Sequence, residues 1–216
     1  MNWLWHDVQE IARVEVPGEI PVFPLPNALI FPFIQLPLYI FEPRYRTMLA
    51  DCLATHRFMA ISLFKPGWEA QAEPIPSYDV AGVGFVRFAQ TNEDGTSHIV
   101  LAGVVRARIV QYVQLEPYRI AKIDTLKTEN RDDTNVLQKN EKLYELFLEQ
   151  LRYKTGEVDA QGLESLGQLK VPEKFADIAA FYADIDVVEK QTFLEELDLE
   201  KRIDRLIKIY KAIPEA

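Results

Sequence analysis

The side chains able to do chemistry in this 216-residue chain are few and scattered. Its three histidines, His6, His56 and His98, lie far apart and lack the short spacings of a zinc site. A metal or base role would require the fold to bring them together. Cys52 is the single cysteine, which excludes an intrachain disulfide and fits a reducing compartment. It falls on an apolar helical stripe, where a thiol is a small buried hydrophobe rather than a nucleophile. Glu195, Glu196, Asp198 and Glu200 crowd a junction between two helical patterns. They read as a solvated face with helix caps, because paired carboxylates for acid–base work need opposed environments. Gly82-Val83-Gly84 is not followed by a helical pattern, which argues against dinucleotide binding. No G-x-x-x-x-G-K-[ST] segment exists to cradle a phosphate. We therefore expect no catalytic residue, no metal and no cofactor.

The charged residues narrow the partners. The formal net charge is −9, and both halves of the chain are acidic. A nucleic-acid binder needs a basic surface that displaces counterions from phosphates. Arg87, Arg106, Arg108 and Arg119 are the only cluster suited to RNA, so RNA ranks second to a protein partner. Arg106 and Arg108 have two readings: anchors for a peptide carboxylate, or structural partners of Glu42 or another carboxylate at the edge of the core. The N-terminus, MNWLWHDVQEIARVEV, has no basic leader, long apolar core or small-residue cleavage site, so a cytoplasmic protein is expected.

The elements that must hold these residues divide into two periods. FPLPNALIFPFIQLPLYIFEPRY, Phe23 to Tyr45, is strongly apolar but carries prolines at 24, 26, 32, 37 and 43. Each proline removes a backbone donor and clashes with a preceding helical turn, which excludes a membrane helix. Two short strands, Ile20–Phe23 and Leu36–Ile40, joined by a stiff loop fit instead, with Pro37 at a sheet edge or bulge. Pro43 suits the first turn of a helix over Pro43–Thr55, whose apolar face is Tyr45, Met48, Leu49, Cys52 and Leu53. Strands follow at Phe58–Phe64, Val80–Ala89, His98–Tyr112 and Pro117–Leu126, with a tight turn at Asn92–Gly95. From Asn130 the period becomes 3.6. Helices are expected over Thr134–Tyr153, with Leu137, Tyr144, Phe147, Leu148 and Leu151 inward, and from Pro172, with Phe175, Ile178, Ala179 and Tyr182 inward. Two more begin at the caps Asp186 and Asp198, the last with Leu199, Ile203, Leu206, Ile207 and Tyr210 inward. Gly156–Lys170 reads as a loop or short helix, and Lys127–Asp133 as the joint between the halves.

The motifs Ile20–Leu25, Leu29–Pro32 and Leu36–Tyr45 resemble the opening of the Lon protease N-terminal, or substrate-binding, domain. The Gly82/Gly84 strand, the Asp94-Gly95 turn, Gly103–Ile109 and the Glu189–Leu194 helix continue the likeness over residues 20–212. Two positions depart from it: Phe33 stands where the family usually has glycine, and Gly84 is followed by the bulky Phe85-Val86-Arg87. The resemblance implies an α+β fold, a PUA-like antiparallel pseudo-β-barrel with one inserted helix, followed by a C-terminal helical bundle. The expected boundaries are an extension over 1–17, with Trp3 and Trp5, a barrel over 18–126 and a bundle over 127–216. In full-length Lon this unit precedes an ATPase and a Ser–Lys peptidase. With neither motif set present, the chain resembles the stand-alone members, whose implied role is binding protein or peptide without catalysis. Candidate contacts for an extended or unfolded polypeptide are Phe31, Phe33, Ile34, Arg106 and Arg108, unless the three apolar residues fold back into the barrel. Glu42, Arg44 and Tyr45 are expected to fix the strand-to-helix corner. A separate protease or chaperone is a further expected partner; nucleic acid and membrane are not.

Overall fold

The computed structural model describes residues 15–130, 134–155 and 171–212. Trp3, Trp5, His6 and the stretch 156–170 lie outside the described residues. The chain forms two compact units divided between Leu126 and Lys127.

The first unit runs β1 (Glu19–Leu25), β2 (Gln35–Ile40), α1 (Pro43–Ala54), β3 (Phe58–Leu63), β4 (Val80–Thr91), β5 (Ser97–Gln114) and β6 (Arg119–Leu126). The strand order is β2-β5-β4-β3-β1-β6, and β6 pairs again with β5. Five strands therefore close on themselves, and β2 is left as a sixth strand outside the ring. The 18-residue β5 makes this possible. Its first part pairs with β2, and its last part, Arg106 to Gln114, pairs with β6 through two irregularities in register. The barrel is not wholly antiparallel as expected: β1 and β3 run parallel. The chain between them contains β2 and α1, which is long enough for a crossover.

Strand alternation explains the interior. Ile20, Val22, Phe58, Ala60, Ala81, Val83, Ala107, Ile109, Ala121 and Ile123 form one buried cluster. Each ring strand contributes two residues of one face, and four of the ten are alanine, so the lumen is filled by side chains. Two prolines of β1 are tolerated because its partners are offset. Pro21 lies where β1 pairs with β6, Pro24 where it pairs with β3, and only Val22 is paired on both sides.

The proline-rich connection between β1 and β2 packs against the barrel at Leu29, Ile30, Phe31 and Ile34, all buried. Its backbone lies so close to β4 and β5 that side chains are excluded there. A Cβ on Gly82 would stand 1.8 Å from the Ile30 carbonyl oxygen, and one on Gly103 2.0 Å from that of Phe31. Backbone bonds lock the contact: Phe33 N–H donates to Gly103 O, and Gly103 N–H to Ile34 O, each at 2.8 Å.

The second unit holds α2 (Thr134–Thr155), α3 (Pro172–Tyr182), α4 (Val187–Glu195) and α5 (Leu199–Ala212). Asp186 caps α4 by accepting from Glu189 N–H at 2.8 Å, and Asp198 caps α5 by accepting from Lys201 N–H at 3.1 Å. Part of the expected joint is built in, because Glu129 pairs with Asp198 as an isolated bridge. The inward stripe of α2 is corrected to Val136, Asn140, Leu143 and Phe147; Leu137 lies one position off this line and is exposed. Tyr182 is exposed as well, because α3 ends there and Ala183 takes the buried place. The sequence pattern gave no sign of Arg202, which is buried on α5 and donates to Asp177 of α3 and, at 3.0 Å, to Thr128 Oγ1. A guanidinium out of water must be paired, so this pair ties three segments together.

Gly82→Ala is expected to cost about 2 kcal/mol or more by overpacking, whereas Gly18→Ala, with open space around its Cβ, should be near neutral. Urea denaturation of the two variants checks this. Asp177→Ala removes the buried carboxylate that faces Arg202 and should cost about 3–5 kcal/mol, read as an earlier unfolding midpoint.

Candidate functional site

The five residues expected at a peptide surface do not form one. Phe31, Ile34 and Arg106 are buried, the guanidinium of Arg106 lying 5.8 Å from the centroid of the Phe31 ring. The loop that was expected to offer its apolar side chains instead inserts them against the glycine-lined strands. Phe33 is half-buried and Arg108 exposed. Phe33 has φ 68°, a left-handed conformation that favours glycine. Of the four arginines considered for RNA, Arg106 and Arg119 are buried, so the four make no surface stripe.

Several of the candidate reactive groups have structural partners. Cys52 Sγ donates to Phe58 O at 3.4 Å, and burial pushes its thiol up to about 12, which suppresses the thiolate. His56 Nδ1 accepts from Phe58 N–H at 3.0 Å, and burial lowers its pKa. Asp198 caps a helix, and Glu196 accepts from Asp198 N–H. Among the described residues no group of three or more His, Cys, Asp or Glu is placed to hold a metal, and no helix is long and apolar enough to cross a membrane.

Of the corner residues Glu42, Arg44 and Tyr45, the last two line a cleft of 330 Å³. Arg44 Nε donates to Glu42 at 3.0 Å, and its guanidinium lies 4.7 Å from the Tyr45 ring centroid. Tyr45 packs on Phe23 of β1 at 4.4 Å between ring centroids. Glu73, from the connection between β3 and β4, accepts from Arg44 at 3.0 Å through one carboxylate oxygen and from Arg119 at 3.3 Å through the other. Burial works to raise the Glu73 pKa, but the Arg44 hydrogen bond, the Ile75 N–H and the charges of Arg44 and Arg119 hold it below the usual carboxylate range. Leu115, Pro117 and Tyr118 form another wall. Tyr118 donates to Asp51 at 2.6 Å; its burial and this bond raise its pKa to about 12. Sequence reading found the corner but not Glu73, whose loop has no periodicity to place it.

A second surface lies on β2. Among the described residues β2 pairs with β5 alone, so one edge is open. Tyr39 is opposite His98, and Pro37 opposite Val100, which in turn faces Phe88 of β4. Residues two apart share a face. Tyr39, Phe41 and Phe88 are 47%, 59% and 50% exposed. The rings of Tyr39 and Phe41 stack at 6.0 Å, and Tyr39 lies 4.8 Å from the His98 ring. The signal available in the sequence was the alternation of Leu36–Ile40, which turns Tyr39 away from Leu38 and Ile40.

This barrel, with its edge strand and following helical unit, is matched by a family model. The model is described as the ATP-dependent protease La (LON) substrate-binding domain, and it covers residues 19–212. The chain belongs to this family. Lon protease of Dictyoglomus thermophilum is 24% identical over 204 residues, covering 89% of this chain and 24% of its own length. Lon protease 2 of Myxococcus xanthus is 25% identical over 201 residues, with 92% and 24% covered. The chain thus spans about a quarter of these relatives. Two solved structures share the fold. The N-terminal domain of the Mycobacterium avium complex Lon protease has a TM-score of 0.74 at 14% identity, with 91% of this chain and all of that one covered. The Lon N-terminal domain protein from Xanthomonas campestris has a TM-score of 0.64 at 17% identity, with 88% and 97% covered. The matched region is the substrate-binding domain and includes neither a protease nor an ATPase domain.

The left-handed backbone at Phe33 gives a separable prediction. Phe33→Gly and Phe33→Ala both lose the ring, but the glycine variant should be about 1 kcal/mol the more stable because it removes the Cβ strain; paired urea denaturation curves measure the difference.

Proposed function

We propose that this chain is a non-catalytic polypeptide-binding module of the Lon substrate-binding type, holding extended or unfolded segments of other proteins along β2. The observation that carries this reading is the edge strand itself, which has one side unpaired and exposed Tyr39 and Phe41 beside it. An incoming extended segment gains main-chain hydrogen bonds from the edge and apolar contacts from alternate side chains. Pro37 removes one donor from β2, which limits pairing along the edge and discourages sheet-to-sheet association between copies. The edge is anchored at its start by the Gly103 bonds, so little order has to be imposed on binding. A separate protease or chaperone in the cytoplasm is the proposed recipient of the bound segment.

Titration with a reduced, denatured protein or with an apolar peptide library tests the proposal. Saturable binding at tens of micromolar or tighter is expected. Tyr39→Ala with Phe41→Ala should weaken it roughly tenfold or more, as loss of exposed aromatic anchors does, with the unfolding midpoint unchanged. Binding that is absent, or indifferent to both substitutions, would overturn it.

A further inference from the structure

We propose that the corner cleft is a second subsite, which receives a polypeptide carboxylate between Arg44 and Arg119, and that Glu73 occupies this position when no ligand is bound. The idea deepens the polypeptide-binding reading and rests on it, but concerns a different surface.

Three features converge. First, the Arg119 side chain is 8% exposed, so its charge requires an anionic partner at this place. Second, Glu73 supplies that partner as a ligand would, one oxygen to each guanidinium, yet its own side chain is 51% exposed. A half-exposed carboxylate can turn out into water, giving up Ile75 N–H to solvent, while an external carboxylate takes over its contact with the buried Arg119. Third, the α1 N-terminus borders the cleft with no acidic residue in its first turn and no side-chain cap from Glu42. Its partial positive charge adds to that of the arginines. Pro74, Leu115, Pro117 and the Tyr45 and Tyr118 rings leave room for an apolar side chain next to the carboxylate. Glu116 also lines the site, and Glu42 lies next to it, engaged by Arg44 Nε. The carboxylate belongs either to a chain terminus or to an Asp or Glu side chain.

The test uses the full chain and three hexapeptides of Leu, Phe and Ala: one with a free C-terminal carboxylate, its C-terminal amide, and an amide carrying one internal Glu. Calorimetric titration should show the free acid binding more tightly than the plain amide. Glu73→Ala should strengthen acid binding roughly tenfold by removing the resident competitor, and Arg44→Ala in that background should abolish the gain. Tighter binding of the internal-Glu peptide than of the plain amide assigns the site to acidic side chains; preference for the free acid alone assigns it to chain termini. Equal binding of all three peptides to wild type, or no change on Glu73→Ala, overturns the proposal. If Glu73→Ala does not fold, Glu73→Gln removes the charge while keeping one acceptor oxygen, and gives the same reading. Tyr39→Ala separates the two surfaces: apolar binding that persists with an intact acid preference sinks the β2 reading, and lost apolar binding without an acid preference sinks this one.

Discussion

The backbone-on-backbone contact between the β1–β2 connection and Gly82 and Gly103 is the constraint on which the barrel unit depends. Two peptide segments approach until no side chain fits between them. That proximity lets Phe33 and Ile34 share hydrogen bonds with Gly103, and those bonds set where β2 begins to pair with β5. The same contact buries Ile30 and Phe31 and places Arg106 under an aromatic ring. Prolines suit such a segment because a stiff, extended chain loses little entropy on being held, and few of its amides need ladder partners.

The second unit solves the same problem with different means. Its helices satisfy their own backbones, so what remains to be specified is how they pack. Apolar stripes on α2, α3 and α5 do most of this, and the buried Arg202–Asp177–Thr128 set adds geometry that apolar contact lacks. An ion pair out of water gains little over a well-packed apolar substitute, but it penalises every arrangement that separates its members.

Both surfaces proposed for binding are places where the barrel leaves something incomplete. The ring closes through five strands, and the sixth keeps an open edge. The cleft holds a buried guanidinium paired with the carboxylate of a half-exposed loop residue. Three of the groups with reactive potential have structural roles: Cys52 is held protonated by burial, and His56 and Asp198 serve backbone amides. The matched family model is that of a substrate-binding domain.

Local pattern carried much of this protein. Proline spacing excluded a spanning helix and located β1, β2 and the start of α1. Alternation located β4 and β5, the Asp94-Gly95 turn joined them, and capping residues marked α4 and α5. Each of these depends on atoms within a few positions of one another, which is why a linear reading finds them. Tertiary structure decided which face of each element is used. Phe31 and Arg106 look equally suited to a surface or to the interior until Gly82 and Gly103 bring the loop down on them. Leu137 loses its place to Val136 and Leu143 because a helix's rotation is set by its neighbours. Glu73 meets Arg44 and Arg119 only because β6 and the start of α1 lie at one corner of the barrel. Such meetings depend on chain closure over long separations, and no local period encodes them.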